Sequence, residues 1–74
     1  MSAAIERQAV RSSNLISIGY DPLSQELHVE FAGGRVYRYR NVPSELHDEL
    51  VAADSVGRFF AARVRPAYPG ERIG

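Results

Sequence analysis

The sequence ELHVEFAGGRVYRYR, residues 26–40, decides the fold of this chain. Its first half, residues 26–32, alternates apolar with polar side chains, which is the pattern of a half-buried β-strand. A glycine pair follows at Gly33 and Gly34 and marks a hairpin turn. Residues 35–41 then alternate again, so the segment predicts two antiparallel strands joined by a tight turn.

The polar residues of this hairpin determine its register. A two-residue loop would pair Val29 with Arg38 and so place an arginine on the apolar face. A three-residue loop that ends in a left-handed glycine pairs Val29 with Tyr37 instead. Because a slip of one residue inverts every side chain, we predict the three-residue loop, residues 32–34. This register places Tyr37 and Tyr39 on the apolar face.

The segments on either side complete a β-β-β-α-α order. Residues 15–20 alternate as an earlier strand, with Ile16 expected on its apolar face. After the hairpin, residues 43–53 have the apolar spacing of a short helix, and we expect Ser55 to cap a second helix that ends before Pro66. Two helices can cover one face of a three-stranded antiparallel meander, so we predict an α+β fold with both helices packed on one face.

The length of the chain, 74 residues, indicates one domain. We expect residues 1–10 to be a partly ordered N-terminal segment, residues 11–74 to form the domain, and the tail after Pro69 to be irregular. The absence of cysteine excludes a disulfide-stapled secreted scaffold. No apolar run approaches the ~18 residues of a membrane span, and the first residues lack the apolar stretch of a leader. We therefore predict a cytoplasmic protein without a membrane partner.

The charges of the chain sum to zero but are unevenly spread. All nine basic residues are arginine, and nine residues are acidic. A net charge of zero argues against strong non-specific binding of polyanions. Nevertheless, residues 35–40 carry three arginines and no acid, residues 41–54 carry four acids and no base, and residues 55–74 carry four arginines and one glutamate. Arginine favours bidentate contacts to carboxylate or phosphate, so the two basic segments are candidate binding surfaces.

Residues suited to catalysis or metal binding are scattered. Ser12 and Ser13 lie near no general base in sequence, and no nucleophile-elbow motif is present. His28 is predicted on the polar face of a strand and His47 on a helix, without a metal-ligand spacing. We therefore predict no enzymatic activity, no metal and no cofactor, and we expect both histidines at the solvated surface.

The run Tyr37-Arg38-Tyr39-Arg40 is the sharpest local signal for binding. Interleaved aromatic and basic residues on a strand can stack on bases and neutralise phosphates, so these four residues are candidate nucleic-acid contacts. Two structural alternatives stay open. The tyrosines can be core residues, and the arginines can pair with the polar residues of the neighbouring strand.

Short motifs follow one another over residues 7–73 in an order and spacing typical of one family. They include SSN at 12–14, IGYD at 18–21, YRY at 37–39, VP at 42–43, SVG at 55–57 and VR at 64–65. This set resembles the KTSC domain, which is named for the C-terminus of some lysyl-tRNA synthetases. The domain also occurs as a small stand-alone bacterial or phage protein.

The resemblance implies a binding function, since RNA binding has been suggested for the family from its attachment to a synthetase. It adds Asn14 of the SSN motif to the candidate contacts and matches Arg65 at the end of the second helix. Arg65 forms part of a polyanion site if it folds back toward the sheet, and it caps its own helix if it does not. One departure concerns the residue after Phe60. The family commonly has asparagine there, whereas this chain has Ala61, so a ligand site that used the asparagine would be altered.

We therefore predict a non-enzymatic binding module for RNA, with Arg38 and Arg40 on the open face of the sheet and with Arg65 and Asn14 at one end. The alternative is a protein-interaction or assembly module. It would act on a protein partner or a second copy of the chain, through an edge strand or through the acidic helix 43–54.

Overall fold

Five antiparallel strands form one sheet in chain order, and two short helices cover one of its faces. The structure is a computed structural model in which residues 5–74 are described. The elements in chain order are β1 (Arg7–Ala9), β2 (Leu15–Asp21), β3 (Glu26–Phe31), β4 (Val36–Tyr39), α1 (Ser44–Ala52), α2 (Val56–Phe59), a π-helical turn (Phe60–Val64) and β5 (Gly70–Arg72). The predicted α+β class is confirmed.

The central β3–β4 hairpin has the predicted register. Val29 lies opposite Tyr37, and the backbone hydrogen bonds close a loop of residues 32–34. Gly33 and Gly34 have φ angles of +97° and +88°, which glycine adopts at little cost. The hairpin therefore turns its apolar side chains to the helices and its charged side chains to the opposite, open face.

Strand β2 differs from the prediction at its start. A β-bulge lies between Leu15 and Ser17 and adds one residue to this strand. Leu15 consequently lies opposite Phe31 and is 1% exposed, whereas Ile16 is 45% exposed. The expectation that Ile16 faces the core is therefore wrong. The bulge is hidden in the sequence because Leu15 and Ile16 are both apolar.

The prediction of three strands is also wrong, because β1 and β5 pair with the outer sides of β2 and β4. Every residue of these two strands is exposed. Neither strand can therefore show the alternation of a half-buried strand, and both are held by backbone pairing. Within the predicted N-terminal segment 1–10, residues 7–9 form β1, and residues 1–4 lie outside the described residues.

The tail after Pro69 is not irregular, since it forms β5. Gly70 makes this possible, because a Cβ atom there would lie 2.7 Å from the ring of Tyr39. The chain can therefore pass directly over that ring and pair with β4. The sheet then extends one strand beyond the edge that the sequence predicts.

The core lies between the helices and the covered face of the sheet. The ring of Phe60 packs edge-on against Phe31 and Tyr39, with centroid distances of 5.5 Å and 5.3 Å. Ser55 caps the second helix as predicted, since its Oγ accepts a hydrogen bond from the Arg58 amide at 3.3 Å. The buried apolar side chains are Leu15, Ile18, Leu27, Val29, Tyr39, Val42, Leu46, Leu50, Val56, Phe60 and Val64.

The second helix continues into the π-helical turn before Pro66. The amide of Arg65 donates to the carbonyl of Phe60, five residues earlier, at 2.9 Å. Turns of this type are rare in proteins overall, but those that occur are often found at functional sites. Phe60 and Val64 are buried beneath the turn, while Arg65 is exposed at its end.

The bulge can be tested by a pair of substitutions. We expect Leu15→Ala to lower the free energy of unfolding by about 2–5 kcal/mol, because it opens a cavity in the core. Ile16→Ala removes a largely exposed side chain and is expected to cost less than about 1 kcal/mol. Urea unfolding of both variants would measure the difference. A larger loss in Ile16→Ala than in Leu15→Ala would contradict the bulge.

Candidate functional site

The six predicted contact residues lie in three different places. They are Asn14, Tyr37, Arg38, Tyr39, Arg40 and Arg65. Asn14 and Arg65 line one cleft at an end of the sheet. Arg38 of β4 and Arg40, which follows β4, lie beside β5, and the two tyrosines pack against the core. The predicted set is therefore not a single patch.

The cleft that contains Asn14 and Arg65 also contains Arg35, and we call it the end cleft. It has a volume of about 180 Å³. Asn14, Arg35 and Arg65 supply its polar groups, all three from exposed positions. Phe31 and Phe60 supply apolar surface beneath them. The end cleft thus combines two guanidinium groups and an amide with an aromatic floor.

Three chain segments meet at the end cleft through short backbone contacts. The amide of Ala32 in the hairpin loop donates to the carbonyl of Asn14 at 2.8 Å. Ser12 Oγ accepts hydrogen bonds from the Asn14 and Leu15 amides at 3.3 Å. Gly57 lets α2 approach this segment, because a Cβ atom there would lie 2.9 Å from Ser12 Oγ. The cleft is therefore built by the SSN motif, the hairpin loop and the second helix together.

The charge of the end cleft is positive and uncompensated. Within residues 5–74, no carboxylate lies within 4.0 Å of the guanidinium groups of Arg35 or Arg65. Arg35 Nη2 donates to the Ala32 carbonyl at 3.3 Å, which holds the side chain near the loop. Ala61 lies on the helix side of the same cleft, so the departure from the KTSC pattern falls within this site.

The tyrosines of the YRY motif face the helices. Tyr39 is 5% exposed and lies edge-on to Phe60. Tyr37 is half-buried and lies edge-on to Phe31, with a centroid distance of 5.6 Å. Burial raises the pKa of Tyr39, and the positive charge of Arg65 opposes this effect. Both rings therefore pack in or against the core.

The arginines of the same motif lie beside β5, where Glu71 faces Arg38 across the β4–β5 pair. Arg38 Nη2 and Nε donate to Glu71 Oε1 at 2.7 Å and 3.2 Å, and Arg40 Nη2 lies 3.8 Å from the same oxygen. The hydrogen bond from Arg38 lowers the pKa of the Glu71 carboxyl, and the same bond raises the pKa of Arg38. We call these three residues the Glu71 group.

Both histidines are less exposed than expected. The ring of His28 lies 3.2 Å from the Glu26 carboxylate, and the ring of His47 stacks on Tyr20 with a centroid distance of 4.5 Å. Their side chains are 16% and 23% exposed, so the expectation of solvated histidines is wrong. No cluster of three or more His, Cys, Asp or Glu residues suited to a metal ion occurs within residues 5–74. No helix of that range has the length and apolar character needed to cross a bilayer.

Comparison with known proteins shows that this small α+β domain belongs to the KTSC domain family, whose model matches residues 11–68. The chain is 47% identical over 64 residues to an uncharacterised protein of Stutzerimonas stutzeri. The aligned region covers 86% of this chain and 90% of that protein. A protein of Tsukamurella paurometabola is 46% identical over 61 residues, covering 82% of this chain and 91% of that protein. The resemblance inferred from the motifs is thus confirmed.

A solved structure and a longer protein extend the comparison. The crystal structure of a KTSC domain protein from Yersinia pestis has a TM-score of 0.89 and 39% identity, covering 96% of this chain and 100% of that chain. A lysine–tRNA ligase of Nostoc is 33% identical over 54 residues, which are 73% of this chain and 10% of that protein. The matched family region, residues 11–68, includes the end cleft and ends before β5.

Two residues of these sites are absent from the prediction. Arg35 was part of a basic segment, but nothing in the alternation shows that the hairpin loop brings it beside Arg65. Glu71 lies in a tail expected to be irregular, so its pairing with Arg38 depends on the unpredicted β5. The single acidic residue in the basic segment 55–74 is the signal that could have drawn attention to Glu71.

The ion pair between Arg38 and Glu71 weakens at acid pH. The carboxyl of Glu71 has a pKa below its ordinary value of 4.5. The ion pair therefore stabilises the folded chain above that pH, and its contribution falls as the pH drops through the folded-state pKa. We expect Arg38→Ala to move the Glu71 pKa back toward 4.5, measured by NMR titration of the side-chain carboxyl carbon. Arg63→Ala removes an arginine outside the group and should leave the pKa of Glu71 unchanged. An equal shift in both variants would contradict the assigned cause.

Proposed function

We propose that this protein is a non-enzymatic RNA-binding module and that the end cleft receives one unpaired nucleotide of the RNA. The observation that carries this proposal is the presence of Arg35 and Arg65 in one cleft without a carboxylate partner among residues 5–74. Arginine presents a planar fork of donors that matches phosphate geometry. Two such groups without an internal anion form an incomplete arrangement that a phosphate would complete.

The remaining groups of the end cleft fit the other parts of a nucleotide. The amide of Asn14 can donate to and accept from the edge of a base. Sequence-specific recognition of RNA uses unpaired bases that can be turned out and contacted in this way. The apolar surface of Phe31 and Phe60 offers a wall for the base. The cleft therefore offers contacts for one phosphate and for part of the base of the same nucleotide.

The size of the end cleft favours a polymer over a free small molecule. Sites for small molecules usually enclose about 300–1,000 Å³, whereas the end cleft has about 180 Å³. A segment of a longer chain needs only one residue in the cleft, because the rest can contact the surface outside. The similarity to a lysine–tRNA ligase of Nostoc supports RNA as that chain, since that protein is a tRNA ligase.

The net charge of zero limits both the affinity for RNA and the dependence of that affinity on salt. Non-specific binding to polyanions depends on many basic contacts and decreases steeply with salt. Here we expect mainly the two arginines of the end cleft to contribute, so the logarithm of the affinity should fall with a slope of about −1.4 against the logarithm of salt. A shallow salt dependence is therefore characteristic of the proposed mode.

The proposal places the main contact at the end cleft rather than on the open face of the sheet. Arg38 and Arg40 already face the carboxylate of Glu71, which opposes their attraction for phosphate. Tyr37 and Tyr39 pack against the core and contribute to the site by fixing the aromatic cluster beneath it.

Titration by fluorescence anisotropy would test the proposal, with single-stranded and hairpin RNA oligonucleotides at several salt concentrations. We expect Arg35→Ala and Arg65→Ala each to weaken binding by about tenfold or more, because each removes charge-assisted hydrogen bonds. Each should also make the salt slope shallower by about 0.7. The matched control is Arg63→Ala, which removes the same charge from an exposed arginine that lies 3.8 Å from Glu49.

Two results would contradict the proposal. One is wild-type binding no tighter than about 10⁻⁴ M at low salt, the weak end of non-specific binding. The other is an equal loss of affinity in Arg63→Ala and Arg65→Ala, which would show that net charge and not the cleft determines binding.

A further inference from the structure

The Glu71 group has the geometry of an occupied anion site. Arg38 presents two nitrogen atoms to a single oxygen of Glu71, at 2.7 Å and 3.2 Å, and Arg40 approaches that oxygen to 3.8 Å. One guanidinium group from β4 and one from the residue directly after it therefore converge on one carboxylate oxygen. The donor arrangement that holds a carboxylate in this way also fits a phosphate oxygen.

The occupant of this site can leave without disturbing the core. The side chains of Glu71 and Arg40 are 56% and 61% exposed, and that of Arg38 is 24% exposed. Every residue of β5 is exposed. Exchange of the carboxylate for another anion therefore moves only groups that are already in contact with solvent, and exposed ion pairs of this kind contribute little to stability.

The space around the group is open to solvent. A groove of about 510 Å³ runs beside β5 and is lined by Arg38, Arg40, Asn41, Tyr68 and Glu71 together with backbone of the tail. Its volume is larger than that of the end cleft. An extended ligand can thus approach the arginines from the side that Glu71 leaves open.

We propose that Arg38 and Arg40 form a second phosphate-binding site for RNA and that the Glu71 carboxylate competes with the RNA for it. The inference rests on the proposed function, because it takes RNA as the ligand. Free phosphate would compete poorly with Glu71, since the carboxylate is held beside the arginines by β5. An RNA anchored in the end cleft has a high effective concentration at the second site. Arg35 and Arg40 flank the four-residue strand β4, so both sites lie along one short segment of the chain.

The test removes the competing charge and keeps the shape of the side chain. We expect Glu71→Gln to bind a single-stranded RNA about 3- to 10-fold more tightly than the wild type at low salt. Its salt slope should become steeper by about 0.7 for each phosphate that the released arginines contact. The double variant Arg38→Ala with Glu71→Gln should lose this gain, because one of the released arginines is then absent.

The matched control is Glu49→Gln, which removes an equal charge and also releases an arginine, Arg63, from a carboxylate 3.8 Å away. If the position of the removed charge determines the gain in RNA affinity, Glu49→Gln should change that affinity by less than twofold. Equal gains in Glu49→Gln and Glu71→Gln would overturn the inference, because they would show a general effect of net charge. An affinity of Glu71→Gln within twofold of the wild type would also overturn it.

The outcomes separate this inference from the proposed function. If the wild type and Glu71→Gln both fail to bind RNA at low salt, the proposed function and the inference fail together. If the wild type binds RNA through Arg35 and Arg65 and Glu71→Gln brings no gain, only the inference fails. Thermal unfolding of each variant would show that the comparison is made between folded proteins.

Discussion

The ring of Phe60 joins the two layers of this protein, and the rest of the structure depends on its position. It is 3% exposed and packs edge-on against Phe31 from β3 and Tyr39 from β4. A chain of 74 residues buries only about 60% of its unfolded surface, so a single aromatic cluster is a large share of its core. The same cluster sets the distance between helix and sheet. Phe31 and Phe60 therefore hold the layers together and form the floor of the end cleft.

Much of this fold can be predicted from the sequence, and the parts that cannot be predicted have one property in common. The β3–β4 register follows from alternation, because an error of one residue would place Arg38 in the core. The cap at Ser55 follows from its side chain. In contrast, β1 and β5 bury no side chain, and the bulge at Ile16 lies within an apolar run. Strands that are held by backbone pairing and by exposed polar side chains leave no pattern of hydrophobicity to detect.

The candidate site is less predictable than the fold, because it depends on how the ends of elements meet. The family motifs predict Asn14, the basic C-terminal segment and the motifs together predict Arg65, and both residues line one cleft. Their neighbour Arg35 directly follows the hairpin loop, and its place in the cleft depends on how the helices pack above the sheet. The local charge pattern predicted basic surface on β4, but Glu71 returns from the end of the chain to oppose it. Charge along a sequence is therefore a poor guide to charge on a surface when strands distant in sequence become neighbours.

The two outer strands have a consequence for how molecules of this protein meet one another. A sheet without β1 and β5 would end in β2 and β4, and β2 is seven residues long. Long, flat outer strands are templates for aggregation, whereas short and charged ones resist it. The actual outer strands have three residues each and carry Arg7, Glu71 and Arg72. Two segments that bury no side chain in the core thus protect the sheet from pairing edge to edge with the sheet of another molecule.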